Sequence, residues 1–269
     1  MPAFKATKGL AMNISPATGA LGAHVDGLDL TALDATQFAA LKSALDEHLV
    51  LYVAGQDLDR HQLSALGRRF GPLFRHPIVD NGFADCPEVL ELLREPEDKI
   101  MFGGESWHAD ITWMNPAGYV SILHGIELPP VGGDTAFASN IAAFETLSDG
   151  LKSFLRGQSA YHSYHWYEHR EDPDYTALQP VVRRHPASGR EGLYVNRMFT
   201  SRFDGMTAKE SAPILDHLFA HMEQHPFTCR FRWQKGGVIL WDNRFTLHYP
   251  INDFHGVRRR MIRTTSLEA

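Results

Sequence analysis

The sequence predicts a mainly β fold with covering helices (α+β), built on a double-stranded β-helix or jelly-roll core. Three observations predict it. Short runs of strand character recur along the chain, a few capped amphipathic segments read as helices, and no repeat or low-complexity linker divides the 269 residues. Residues 1–269 are therefore expected to form a single domain, a size that sheet-based domains commonly reach.

Taken in order, Leu21-Gly-Ala-His-Val-Asp-Gly-Leu-Asp-Leu30 alternates like an early strand ending in a turn. Asp34-Ala-Thr-Gln37 has the form of a capping box, and Phe38, Leu41, Leu45 and Leu49 follow as an apolar stripe at helical spacing. A second helix begins at Asp59, buries Leu63, Leu66 and Phe70, and stops at Gly71-Pro72. A third begins at Thr207-Ala-Lys-Glu210 and buries Ile214, Leu215, Leu218, Phe219 and Met222. Strand-like runs are read at 120–124, 135–138, 193–195, 228–233, 238–241 and 258–265, and Ile111-Thr112-Trp113 also favours extended chain.

Composition sets limits on function. With 43% hydrophobic and 22% charged residues the chain can bury a substantial core. Neither a membrane-length apolar run nor a signal-peptide core is present, so a cytoplasmic protein is expected. Cys86 and Cys229 are too few for a disulfide framework or a thiolate cage, and read as buried or incidental thiols. A net charge of -6 and a pI near 6.2 argue against a nucleic-acid surface, and the basic run at 258–263 is too local to change that.

The chemistry concentrates in His108-Ala-Asp110 and in His248 of Trp-Asp-Asn-Arg-Phe-Thr-Leu-His. If the segment is extended, His108 and Asp110 face the same side and reach one ion. Two imidazoles and a carboxylate can cap one face of a ferrous ion and leave the other open, the facial arrangement of non-heme iron oxygenases. Eleven residues after His248, Arg259 offers a guanidinium fork for a carboxylate, so a dicarboxylic co-substrate such as 2-oxoglutarate is suggested. His24-Val-Asp26 has the same spacing but no partner histidine in a comparable context, and reads as a coincidence among 15 histidines.

Two other histidine groups compete. His217, His221 and His225 stack at helical spacing, but no glutamate follows His217 as a metalloprotease motif needs, and a solvated flank is the better reading. His162, His165 and His169 lie among Tyr161, Tyr164, Trp166 and Tyr167 in what reads as a loop or lid, with histidines at the surface or on substrate.

Trp107-His-Ala-Asp110, Gly132-Gly-Asp-Thr135, His185-Pro-Ala-Ser-Gly189, Gly192-Leu-Tyr-Val-Asn196, Trp241-Asp-Asn243, His248 and the run from Arg259 to Arg263 occur together and in order. In these blocks the chain resembles the taurine and phenoxyacetate dioxygenase family over nearly its whole length. The resemblance implies His108, Asp110 and His248 as ligands of Fe(2+), and Thr135 with Arg259 as the clamp on the far carboxylate of 2-oxoglutarate. It implies oxidative decarboxylation of that co-substrate to succinate and carbon dioxide, with O2 consumed and a C–H bond hydroxylated.

His76 and Arg263 match positions that bind the acidic group of the substrate in taurine-oxidising relatives, and Tyr164 and Phe199 match aromatic wall positions. Side chains alternate along a strand, so Arg263 shares a face with Arg259; it then serves the substrate, or else pairs internally with an Asp or Glu. Val79 and Gly104 stand where those relatives carry a tyrosine and an asparagine, which opens the pocket and favours a larger, more apolar anion: a sulfonate, alkylsulfate or aryloxyalkanoate. Taurine itself is the nearest alternative. A zinc-dependent hydrolase or a non-catalytic binding protein on the same barrel are alternatives of another class, and neither needs the Thr135 and Arg259 clamp. A homo-oligomer is expected by analogy alone.

Overall fold

The computed structural model describes residues 12–78, 81–98, 106–164 and 172–268. Its largest sheet has eight strands in the order β1-β2-β3-β14-β6-β16-β5-β4. Along the chain these are β1 (Asn13–Pro16), β2 (Ala23–Asp26), β3 (Val50–Val53), β4 (Gly82–Phe83), β5 (Cys86–Arg94), β6 (Gly118–Glu127), β14 (Val238–Asp242) and β16 (Arg259–Leu267). A three-stranded sheet, β13-β7-β15, joins β7 (Thr135–Ser139) to β13 (Thr228–Phe231) and β15 (Thr246–Pro250). A second three-stranded sheet, β12-β8-β9, holds β8 (Ser159–Ser163), β9 (Thr176–Pro180) and β12 (Thr200–Phe203), and β10 (Val182–Arg184) pairs with β11 (Glu191–Leu193).

The layers follow from which side chains each strand buries. Alternate residues of the large sheet, among them Val50, Tyr52, Leu123, Ile239, Trp241 and Met261, pack on Phe137, Cys229 and Phe231 of the small sheet. The opposite face of the large sheet carries Val25, Leu51, Ile122, Leu240 and Ile262 and is covered by Leu41, Leu45, Leu63 and Leu66. Those leucines belong to α1 (Ala35–His48) and α2 (Arg60–Arg68). Beyond the small sheet, Ala138 and Leu247 pack against α3 (Asn140–Glu145) and α5 (Ala208–Met222), with Leu155 of α4 (Asp149–Arg156) in the same cluster. Sheet faces sheet, helices cover both outer faces, and the polar site lies in between.

All three sequence-predicted helices start where expected. Asp34, Asp59 and Thr207 each form both halves of a capping box, with Gln37, Gln62 and Glu210 reaching back. Among the described residues no helix is long and apolar enough to cross a membrane. Helix α5 ends at Met222, so His225 falls in a separate 3-10 turn and the expected three-histidine stack is broken. His217 and His225 are exposed, whereas His221 hydrogen-bonds Thr146 Oγ1 and the carbonyl of Ala143. The solvated-flank reading holds for two of the three.

The segment after residue 158 departs from expectation. His162 sits inside β8 with no exposed surface, between Thr112 Oγ1 at 2.9 Å and Thr200 Oγ1 at 3.3 Å, and stacks on Tyr194. His165 and His169, with Trp166 and Tyr167, lie outside the described residues. Burial, aided by the nearby Arg183 charge, pulls the His162 pKa down to about 3. Its native pKa lies below the unfolded value of about 6.5, so its contribution is complete above pH 6.5 and is lost as pH falls toward 3. Urea unfolding at pH 7, 6 and 5 should show stability falling by up to roughly 1.4 kcal/mol per unit from this residue. His162→Gln should flatten that slope by about one proton; an unchanged slope would show that His162 stays accessible.

Candidate active site

Strand β15 carries His248 into the space between the sheets, because Leu247 before it takes the outward helix-facing position. The backbone of His108 pairs directly with that of His248 through both N–H···O bonds, 3.1 and 2.7 Å, in an isolated antiparallel bridge. Side chains directly opposite in such a pair share a face, and the two imidazole centroids are 4.0 Å apart. Asp110 Oδ1 lies 3.9 Å from His108 Nε2 and 4.0 Å from His248 Nε2. The three donor atoms fall within 4.8 Å of one another and all three residues are buried.

The convergence of His108 and Asp110 is as expected, but the extended run beyond them is not. Residues 110–113 form a turn, with Ile111 at φ 56°, in the left-handed region. Tertiary hydrogen bonds override the β propensity: Gln179 Nε2 donates to the carbonyls of Thr112 and Met114, and Ile111 O accepts from Gly118. Trp107 packs on Tyr249, with ring centroids 5.6 Å apart, and on the α3–α5 core.

Asp110 is held by residues to which the sequence assigned no role. Its N–H donates to Asn243 Oδ1, Ser121 Oγ donates to its Oδ2, and Ser121 Oγ also meets Thr265 Oγ1. Asn243 Oδ1 also accepts from Trp241 Nε1, while its amide donates to Ser121 Oγ and Tyr119 O. Asn243 lies in the quoted Trp-Asp-Asn block, and Ser121 is a polar residue on the inward face of an apolar strand, so a faint signal existed.

The protonation states suit metal ligation. His108 Nδ1 lies 2.9 Å from Ser106 O, so it donates there and leaves the Nε2 lone pair toward Asp110. Burial lowers the His108 pKa, and burial together with the facing His108 lowers that of His248 well below the ordinary value. Burial alone would raise the Asp110 carboxyl; Arg263, the two histidines and the Ser121 hydroxyl hold it well below the carboxylate range. Two neutral imidazoles and an ionised carboxylate therefore face one point at neutral pH. The donor set fits a divalent metal of the iron type.

Thr135 opens β7 and Arg259 opens β16, one on each facing sheet. Both are buried, and Arg259 Nη2 reaches Gly133 O at 3.3 Å, two residues from Thr135. Gly133 has φ +71°, and a Cβ there would crowd Phe254 and Arg259 Nε, so glycine keeps this passage open. Arg259 Nε is buried with no partner among the described residues, and burial and the neighbouring Arg94 charge pull its pKa down to about 10. Thr135 Oγ1 accepts from Trp233 Nε1 at 3.0 Å.

Arg263 shares the inner face of β16 with Arg259, Met261 and Thr265, as alternation requires. Its Nη1 contacts both oxygens of Asp110 at 3.0 and 3.1 Å, which is the internal pair named as the alternative to a substrate role. Its Nε is buried without a partner among the described residues. His76, Tyr164 and Phe199 form a continuous wall: His76 to Tyr164 is 5.4 Å, Tyr164 to Phe199 6.2 Å and Phe199 to His108 6.2 Å between ring centroids. Trp113 and Phe74 complete it, and the sequence reading missed both. Burial and Arg263 lower the His76 pKa to about 4, so His76 is neutral at pH 7. Val79 and Gly104 lie outside the described residues.

One further cluster, Asp46, His185 and Asp242, has metal-like spacing. Its chemistry argues against metal. His185 Nδ1 accepts from the N–H groups of Ala187 and Ser188, which leaves the proton on Nε2, toward the carboxylates. Lys42 and Arg244 already neutralise Asp46 and Asp242. The His24-Val-Asp26 coincidence lies exposed on β2, as expected.

Comparison with known proteins places this geometry. The profile of the family described as taurine catabolism dioxygenase TauD, TfdA family matches residues 13–265. An alpha-ketoglutarate-dependent sulfate ester dioxygenase of Pseudomonas putida is 30% identical, with 96% of this chain and 90% of that protein aligned. An (S)-phenoxypropionate/alpha-ketoglutarate-dioxygenase of Sphingobium herbicidovorans is 32% identical over 88% of each chain. The crystal structure of a taurine dioxygenase from Burkholderia xenovorans superposes with a TM-score of 0.83 at 31% identity, covering 96% of this chain and 90% of that one. With all but its extreme ends matched, the chain belongs to the taurine catabolism dioxygenase TauD, TfdA family.

Proposed function

We propose that the chain, acting as one domain on a double-stranded β-helix, is an Fe(2+)- and 2-oxoglutarate-dependent dioxygenase that hydroxylates a C–H bond of a small organic anion. His108, Asp110 and His248 would hold the iron, and Thr135 with Arg259 the far carboxylate of 2-oxoglutarate. The observation that carries this reading is the buried donor triad lying between the same two sheets as Arg259, whose Nε has no partner among the described residues. A buried guanidinium is costly without an anion, and neither a zinc hydrolase nor a plain binding barrel needs one there.

Bound iron and 2-oxoglutarate supply the oxidising chemistry, in which O2 is consumed and succinate and carbon dioxide leave. The protein's residues do the rest. Ser121, Asn243 and Thr265 fix the Asp110 carboxylate, and Ser106 fixes the tautomer of His108. Arg263 and His76 orient the substrate's acidic group, while Phe74, Trp113, Tyr164 and Phe199 exclude water and hold its apolar body.

For the substrate we propose a sulfonate, alkylsulfate or aryloxyalkanoate larger than taurine. The apolar wall of four aromatic rings supports this, as does the absence of a polar side chain at Val79 and Gly104. Each added buried methylene contributes roughly 0.8 kcal/mol, so two outweigh a lost hydrogen bond of about 1 kcal/mol. Succinate release measured across a panel of anions should rise from taurine to the longer and aromatic members. If taurine proves best and the bulkier anions inert, the substrate reading is wrong.

A further inference from the structure

We infer that Trp233 is a positioning residue of the dicarboxylate site: its indole N–H holds the Thr135 hydroxyl so that the hydroxyl proton is given to the distal carboxylate of the co-substrate. This rests on the proposed 2-oxoglutarate site, in which Thr135 and Arg259 grip that carboxylate.

The placement comes from register. Strand β13 pairs with β7, with Cys229 opposite Phe137 and Phe231 opposite Thr135. Direct partners share a face, and Phe137, Cys229 and Phe231 pack in the core between the two sheets, so Thr135 faces that space as well. Trp233 lies just beyond Phe231, after the strand has ended, and joins the same core. From there its indole Nε1 reaches Thr135 Oγ1 at 3.0 Å, with both residues buried. The ring is held on two other sides. Its centroid lies 6.1 Å from that of Tyr52, whose hydroxyl accepts from the N–H of the next residue, Gln234. Gly125 of β6 passes so close that a Cβ there would lie 3.3 Å from the indole Cε3, and glycine leaves the ring its room.

Hydrogen-bond chemistry gives this contact a direction. An indole N–H only donates, whereas a hydroxyl has one proton and two lone pairs. Trp233 therefore occupies a lone pair of Thr135 Oγ1 and leaves the proton to be given elsewhere, and no described residue accepts it. Arg259 on the facing sheet also only donates, and it reaches the chain just before Thr135, at Gly133 O. Its Nε is buried with no partner among the described residues. Two buried donors that lack acceptors meet the requirement of one carboxylate. With the indole N–H removed, the Thr135 hydroxyl is free to rotate, and binding must then also fix its direction.

The test is calorimetric titration of the Mn(II)-loaded protein with 2-oxoglutarate and with 2-oxopentanoate, which keeps the chelating end and lacks the distal carboxylate. The parent protein should prefer 2-oxoglutarate. Trp233→Phe, which removes the N–H and keeps an aromatic ring, should weaken 2-oxoglutarate by about three- to tenfold and leave 2-oxopentanoate unchanged. Benzothienylalanine in place of Trp233 has the shape of the indole without its N–H; it should reproduce the loss, and it serves if the phenylalanine variant does not fold. In a Thr135→Val background neither change at Trp233 should weaken 2-oxoglutarate further, because the hydroxyl through which the indole acts is gone. A packing role alone would leave the preference between the two acids intact, or weaken both equally. Either result overturns the inference and leaves the co-substrate reading standing, as does a full additional loss in the Thr135→Val background. Should the parent itself bind both acids equally, the dicarboxylate reading fails, and the role of Trp233 with it.

Discussion

Replacing Asp110 by Ala should lower turnover by at least about a thousandfold, equivalent to roughly 4 kcal/mol of barrier, while the protein remains folded. Of the three candidate ligands Asp110 is the most densely supported, with contacts to Ser121, Asn243, Arg263 and the two histidines. His108→Ala and His248→Ala should be nearly as damaging, because neither remaining pair can cap one face of the ion. Succinate release under ferrous iron gives the activity, and near-ultraviolet circular dichroism reports whether the aromatic core survives. Asn243→Ala should be milder, at about 10- to 100-fold, since it loosens Asp110 without removing a donor. Full activity in Asp110→Ala would exclude the triad as the metal site.

The second large effect separates two arginines four residues apart on one strand face. Arg259→Ala should raise the 2-oxoglutarate requirement by about 10- to 100-fold, the value of a charge-assisted hydrogen-bond pair of roughly 1.5–3 kcal/mol in a dry pocket. Arg263→Ala should chiefly weaken the primary substrate. Arg263 also grips Asp110, so some loss of metal affinity accompanies its removal, and saturating iron should restore that part. The two Michaelis constants, measured separately for co-substrate and substrate, distinguish the roles. Equal co-substrate defects in both variants, with substrate affinity untouched, would move Arg263 into the co-substrate site.

Local signals carried the sequence reading far where chemistry is local. The capping boxes at Asp34, Asp59 and Thr207 set three helix starts, and alternation along 259–265 put Arg259 and Arg263 on one face. Long-range pairing was not legible. Strands β8, β9 and β12 carry Tyr, His, Ser, Gln and Thr because their inner groups bond to one another and to the 110–113 turn, so no apolar alternation marks them. His162 looked like a surface residue among tyrosines, yet Thr112 and Thr200 satisfy it in the core. The left-handed backbone of Ile111 runs against its β-branched preference and exists because partners distant in sequence take up the turn's carbonyls. Spacing and motif pointed to His108, Asp110 and His248 as candidate ligands, and the structure brings the three together; the Ser121 and Asn243 support that aims Asp110 left only a faint signal.

The most direct test of the central claim is an anaerobic titration of the purified protein with ferrous iron and 2-oxoglutarate, followed by visible absorption. If His108, Asp110 and His248 hold iron with positions left for the co-substrate, a weak charge-transfer band should appear at one iron per chain. It should require both components and be absent in Asp110→Ala. A protein that shows no such band, and instead binds zinc at the triad and hydrolyses its substrate without 2-oxoglutarate, would contradict the account.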